Sequence, residues 1–74
     1  MNITRFVKNN TVQFSRLRHG IAYYMIKDTE SEQVYQFPVN LEDINDATLE
    51  ATDKAIMFMR YIRKAMEDNT FVAV

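Results

Sequence analysis

The stretch TVQFSRLRHGIAYYMIK, residues 11–27, decides the fold, because its pattern is typical of two strands joined by a tight turn. The first half alternates between apolar and polar side chains until the pattern slips near Ser15, which indicates a β-bulge. Gly adopts positive φ at little cost and His tolerates it better than most residues, so His19 and Gly20 predict the hairpin turn. Residues 21–27 are apolar on both sides, which predicts a central strand covered on both faces.

The sequence after this hairpin predicts one more strand, a long helix and an apolar tail. Residues 33–39 alternate cleanly, and Pro38 places this strand at a sheet edge or at its own end, since proline donates no ladder hydrogen bond. The tail, residues 70–74, predicts either a short fourth strand or an edge exchanged with another chain. The expected fold class is α+β, a three-stranded antiparallel meander packed by one long C-terminal helix.

Length and composition limit the classes of function. The 74 residues predict a single domain, 1–74, too small to bury a large core, so self-association into a homo-oligomer is an expected source of stability. The absence of cysteine excludes disulfides and thiolate metal sites, and a lone histidine excludes a multi-histidine site. No signal peptide and no span of about 20 apolar residues is visible, so we expect a cytoplasmic protein without a membrane anchor.

Charge is strongly sorted along the chain, although the net charge is only −1. Residues 1–27 carry five bases and no acid, residues 28–53 carry eight acids and no base, and residues 54–74 carry four bases and two acids. Acids near a helix N-terminus and bases near its C-terminus both stabilise the helix, which explains part of the sorting. Either the blocks neutralise one another within the fold, or an acidic and a basic face steer a partner.

The predicted helix carries apolar residues on two sides. The expected core stripe consists of Ala51, Ala55, Phe58, Met59, Ile62, Ala65 and Met66. Met57 and Tyr61 fall on the opposite side of the helical wheel, one turn apart. We expect them to anchor a partner, either a dimer mate or a foreign protein, with Arg60 and Lys64 as a charged rim. The alternative is that the sheet curls far enough to cover them.

No set of residues with catalytic chemistry stands out. Nucleophilic catalysis needs an activated Ser, Thr or Cys beside a base, and the only histidine lies in a predicted turn. A single glycine excludes a Gly-rich phosphate loop, and the acidic run lacks the spacing of a calcium loop. We therefore expect no enzyme activity, no cofactor and no metal. The bases of residues 16–18 lie near two tyrosines, but a pI near 5.7 disfavours nucleic-acid binding.

The segment FPVNLEDINDATLEATDKAIMFMRYIRK, residues 37–64, resembles a pattern in small accessory proteins of tailed bacteriophages. The shared elements are Phe-Pro-Val, Glu-Asp, Asp-Ala-Thr, and a closing Asp-Lys-Ala, Phe-Met-Arg and Ile-Arg-Lys. The resemblance covers less than half of the chain. It implies a phage-encoded protein that acts in the host cytoplasm, where short, cysteine-free proteins often bind and disable host components or defence systems.

Three functions are compatible with these features. The first is a non-enzymatic interaction protein that binds and inhibits a host protein or defence component. The second is an oligomeric ligand-binding module that sequesters a nucleotide second messenger, with Arg60, Arg63 and Lys64 as the anion-binding residues, since Arg favours bidentate phosphate contacts. The third is a structural or assembly protein.

Overall fold

The computed structural model describes residues 2–40, 42 and 51–74 of the chain. The elements are α1 (Ile3–Asn9), β1 (Val12–Arg18), β2 (Ile21–Lys27), β3 (Val34–Asn40), α2 (Ala51–Glu67) and β4 (Val72–Ala73). The α+β prediction is confirmed, with a meander of β1 to β3, a long C-terminal helix and a short fourth strand. The start of the long helix predicted after residue 40 lies partly outside the described residues.

The four strands form one antiparallel sheet in the order β1-β2-β3-β4. The β1–β2 register shifts between Phe14 and Arg16, which confirms the predicted bulge. His19 and Gly20 have φ values of 52° and 75°, and a two-residue hairpin turn of type I′ needs positive φ at both positions. The tail pairs with β3 of its own chain, with Gln36 opposite Val72.

Pro38 lies at a position where no described neighbouring strand requires a backbone N–H donor. The carbonyl oxygen of Val34 accepts a hydrogen bond from the Val74 N–H at 2.9 Å, so the backbone of Val34 points towards β4. Alternate residues of a strand point their backbone groups to the same side, and Pro38 therefore faces that side too. Because β4 pairs only with Tyr35 and Gln36 among the described residues, Pro38 lies at an open edge, as predicted.

The core lies between one face of the sheet and the two helices. Ile26, Phe37 and Val39 are completely buried on this face. The Phe58 ring of α2 lies 5.0 Å from Tyr24 and meets Phe37 edge-on at 6.2 Å between ring centroids. Aromatic contacts of this kind add specific geometry to a large buried apolar area. Phe58 thus packs the long helix against β2 and β3.

The short helix α1 was not predicted from the sequence. The Asn2 side chain accepts a hydrogen bond from the Arg5 N–H at 3.1 Å, which caps the helix. Phe6 and Val7 are buried in the same cluster as the sheet residues, and α1 packs against α2. The signal was present as an Asn cap followed by apolar residues at positions 3, 6 and 7, the spacing of one helix face.

The two described helices pack on one face of the sheet. β2 is central, between β1 and β3, as predicted. The predicted cover on both faces is not seen among the described residues, where both helices pack on the face that carries Ile26. The opposite face, which includes Tyr23 and Met25, has no described helix against it. The sequence could not separate these cases, since the apolar run of β2 fits either one.

The long helix buries a broader arc than one stripe. Ile62 and Ala65 are buried as predicted, but so is Met57, which is only 8% exposed and belongs to the central cluster. Tyr61 is half-buried and packs against the same cluster. The expectation that Met57 and Tyr61 face away from the fold is therefore wrong. The physical reason is that α2 has neighbours on more than one side, since it contacts both β3 and α1.

Candidate interaction surface

The face of the sheet opposite the helices is here called the open face. Its members follow from the strand registers and are Gln13, Arg16, Arg18, Ile21, Tyr23, Met25, Lys27, Val34, Gln36, Pro38, Asn40 and Val72. In an antiparallel sheet with one solvated face, the outward positions are usually polar. Here five aliphatic or proline side chains and one tyrosine occupy them. Ile21 is 39% and Val72 is 46% exposed, while Tyr23 and Met25 are half-buried by their neighbours.

Positive charge lines the β1 side and one end of the open face. The guanidinium carbon of Arg16 lies 5.3 Å from the ring centroid of Tyr23, a cation–π arrangement. Arg18 and Lys27 are exposed, and the open face contains no acidic side chain. Within the described part of the chain, none of these three bases forms an ion pair with an acid. The described charges of the two blocks therefore do not neutralise one another by direct contact, and the face remains basic.

The open face also contains a concavity of about 250 Å³ over β1, β2 and the start of β3. Met25 and Val34 supply its apolar lining, while Thr11, Gln13, Lys27 and Thr29 supply polar groups. A concave, mainly apolar surface with a few polar groups is what an anchor side chain of a binding partner needs. The open face therefore combines an apolar centre, a basic border and a place for an anchor.

The residues predicted to form a site on α2 are only partly brought together. Arg60, Arg63 and Lys64 are all exposed, and neighbouring positions three and four residues apart place Arg60 beside each of the others. Met57 is buried and takes no part in this surface. Tyr61 and Lys64 instead line a groove at the C-terminal half of the helix.

This groove has a volume of about 300 Å³ and lies between α2 and the end of β3 that β4 does not cover. Its apolar lining consists of Ile21, Pro38, Val39 and Ala65, and its polar lining of Asn40, Tyr61, Lys64, Asp68 and Thr70. Lys64 and Asp68 do not form an ion pair with each other. The groove is thus the second surface feature with both an apolar floor and charged groups.

The described residues hold no group of three or more His, Cys, Asp or Glu side chains that could bind a metal ion. None of the described helices is long and apolar enough to cross a membrane. Burial raises the pKa of the Tyr24 hydroxyl above its ordinary value of 10.0. Tyr24 lies on the core face, where its ring contacts Phe14, Phe37 and Phe58, so this shift reflects packing.

Comparison with protein-family models, with curated proteins and with solved structures gave no significant match for this chain.

The open face was not predicted from the sequence, because the strand registers that define it were not known. Adjacent tyrosines in a strand must point to opposite faces, so Tyr23 and Tyr24 cannot act together. The register pairs Tyr23 with Arg16, whereas Tyr24 packs against Phe58 on the other face. The usable signal was an apolar central strand beside an edge strand whose only charges are arginines.

Proposed function

We propose that the protein is a non-enzymatic interaction protein that binds a host protein through its open face. The observation that supports this most directly is the apolar centre of a face against which no described helix packs. Large exposed apolar areas are uncommon on monomeric soluble proteins and usually mark interaction sites. Arg16, Arg18 and Lys27 form the rim, and the concavity over Met25 receives an anchor side chain of the partner.

The proposed partner is a different protein rather than a second copy of this chain. Three strands of seven residues and the short β4 span roughly 400 Å² of projected area at ordinary strand dimensions. A stable interface buries about 800 Å² of accessible surface on each partner, so a stable complex must also involve side chains beyond the open face. A symmetric pairing would also bring together surfaces of the same positive sign. A larger partner with an apolar centre and an acidic border complements the charge of the open face and can also reach side chains beyond it.

The host origin of the partner and the inhibition of its activity rest on the phage-protein resemblance of residues 37–64. A small protein that covers a partner's surface inhibits it sterically, without chemistry of its own. The partner-binding residues are then those of the open face and not Met57 and Tyr61.

The test is affinity capture from a lysate of the bacterial host with three variants beside the wild type. Tyr23→Thr with Met25→Thr removes the apolar centre and puts β-branched residues, which favour strands, in its place. Ile56→Gln is the matched control, because Ile56 is a 51% exposed apolar residue of α2. Arg60→Glu with Lys64→Glu tests the helix surface. Circular dichroism and thermal melting first establish that each variant folds.

We expect the wild type, the Ile56→Gln control and the helix variant to retain the same host protein at a fixed ratio. The Tyr23→Thr/Met25→Thr variant should lose it. Loss of that protein from the helix variant alone would overturn the assignment to the open face. Retention by all four proteins, or by none, would contradict a specific interaction at either surface.

A further inference from the structure

We propose that the groove between β3 and α2 binds a small zwitterion with an apolar side chain, the chemistry of a hydrophobic α-amino acid. Its charged residues, Lys64 and Asp68, lie outside the open face, whereas Ile21, Pro38 and Asn40 border both surfaces. Ligand binding here does not require the open-face contact. The groove holds opposite charges, Lys64 and Asp68, one helical turn apart on the same wall. These two side chains do not pair with each other in the structure. A ligand that carries both an ammonium and a carboxylate group can satisfy both.

The end of α2 gives the groove one firm wall. Asn69 adopts a φ of 60°, the left-handed conformation that ends many helices. The carbonyl oxygen of Ala65 then accepts hydrogen bonds from the N–H groups of Thr70 at 2.8 Å and Phe71 at 3.2 Å. The Asp68 N–H donates to the Lys64 carbonyl oxygen at 2.9 Å. The backbone that carries both charged side chains is therefore fixed before any ligand arrives.

The polarity of this wall sets the orientation of the ligand. A helix C-terminus carries a partial negative charge, which stabilises a nearby cation. The ligand's ammonium group therefore belongs beside Asp68 at the end of the helix. Its carboxylate belongs beside Lys64, one turn nearer the middle of α2, where the ammonium of that side chain can donate to it.

The opposite wall selects the side chain of the ligand. Ile21 and Pro38 present apolar groups to the groove, and the fully buried Val39 belongs to the same lining. Pro38 has no N–H, so this wall offers no backbone donor at that position. A side chain of leucine size gains by leaving water for this wall, whereas glycine gains nothing from it. The volume of about 300 Å³ suits a ligand of this size and lies at the small end of known ligand pockets.

The test is a titration of the 74-residue chain, labelled with ¹⁵N, followed by two-dimensional NMR of its backbone amides. The probe is L-leucine at up to about 20 mM, a concentration far above that needed for any specific site. N-acetyl-L-leucine lacks the ammonium group, L-leucinamide lacks the carboxylate, and glycine lacks the side chain. Because Lys64 and Asp68 are exposed, the variants Lys64→Gln and Asp68→Asn should keep the fold.

We expect L-leucine to give saturable shifts at Lys64, Ala65 and Thr70. Each of the three analogues should bind at least about fivefold more weakly, since each loses one of the contacts. Asp68→Asn should weaken the binding of leucine but not that of N-acetyl-leucine, which lacks the ammonium group. Lys64→Gln should weaken the binding of leucine but not that of leucinamide, which lacks the carboxylate. The absence of saturable shifts with leucine, or equal binding of leucine and its blocked analogues, would overturn the proposal.

Discussion

The hairpin turn shows how one residue's backbone conformation sets a measurable part of the stability. Gly20 has a φ of 75°, and a Cβ added there would meet no atom within 4 Å. The cost of Gly20→Ala therefore arises from the left-handed backbone alone, and we expect a loss of about 1 kcal/mol. Urea denaturation of both proteins measures it. His19→Asn should stabilise slightly, by about 0.5 kcal/mol, because Asn tolerates this conformation better than His.

An effect of Gly20→Ala well above that size would mean that the added methyl group disturbs packing, contrary to the open space around Gly20. The slope of unfolding free energy against urea should stay the same in all three proteins, because none of these changes alters the surface exposed on unfolding.

The partly buried phenol of Tyr24 predicts a loss of stability at high pH. Burial raises its pKa in the folded state above the value of 10.0 expected in the unfolded chain. The unfolded state therefore loses its proton first. The stability from this group is fully present below pH 10 and is lost as the pH rises through the folded pKa. Unfolding in urea across this range measures the decline.

The matched control for Tyr24 is Tyr24→Phe, which keeps the ring and removes the titrating group. We expect its stability to fall less steeply above pH 10 than that of the wild type. Equal slopes for the two proteins would show that Tyr24 does not keep its proton in the folded state. Absorbance of the phenolate at alkaline pH gives an independent measure of when each tyrosine ionises.

At the level of elements, two neighbouring residues of α2 test the corrected burial of this helix. Met57 is 8% exposed and Ile56 is 51% exposed. Met57→Asp places a charge in the core cluster and should cost about 3 kcal/mol or more, enough to unfold much of a marginally stable domain. Ile56→Asp makes the same kind of change on the surface and should cost less than about 1 kcal/mol.

Thermal melting followed by circular dichroism distinguishes the two variants. Met57→Leu completes the series, because a swap that conserves volume should be tolerated in the core. If Met57→Asp melted at the temperature of the wild type, Met57 would face solvent. The prediction that Met57 anchors a partner would then apply again. If Ile56→Asp were the more damaging variant, the direction in which the whole helix faces would be wrong.

The elements were predicted from the sequence to the extent that local patterns determine them. The Ser15 bulge, the His19–Gly20 turn and the alternation of β3 all follow from neighbouring residues and are present. The burial of Met57 depends on α1 and β3 as further neighbours, which a helical wheel does not contain. The open face escaped for the same reason. An apolar strand indicates that both of its faces are shielded from water. It does not indicate whether a helix of the same chain or another molecule covers each face.

For the whole molecule, the separation of charge raises the question of how copies meet in the absence of a partner. The open face is apolar at its centre and basic at its border. Two copies that meet through this face bring like charges together, and salt screens that repulsion. Two copies that meet through the basic residues 1–27 and the acidic residues 28–53 bring opposite charges together, and salt weakens that attraction. The sign of the salt dependence therefore distinguishes the two contacts.

We expect weak self-association that strengthens as the ionic strength rises from about 0.02 M to about 0.5 M, since the screening length falls from roughly 20 Å to under 5 Å. Sedimentation equilibrium at several protein concentrations measures it. Tyr23→Thr with Met25→Thr should abolish the association at every salt concentration, while Ile56→Gln should leave it unchanged. Association that weakens with salt would instead mean that the opposite charge blocks of neighbouring copies pair. The acidic and basic segments would then serve assembly, and the open face would remain available for a different partner.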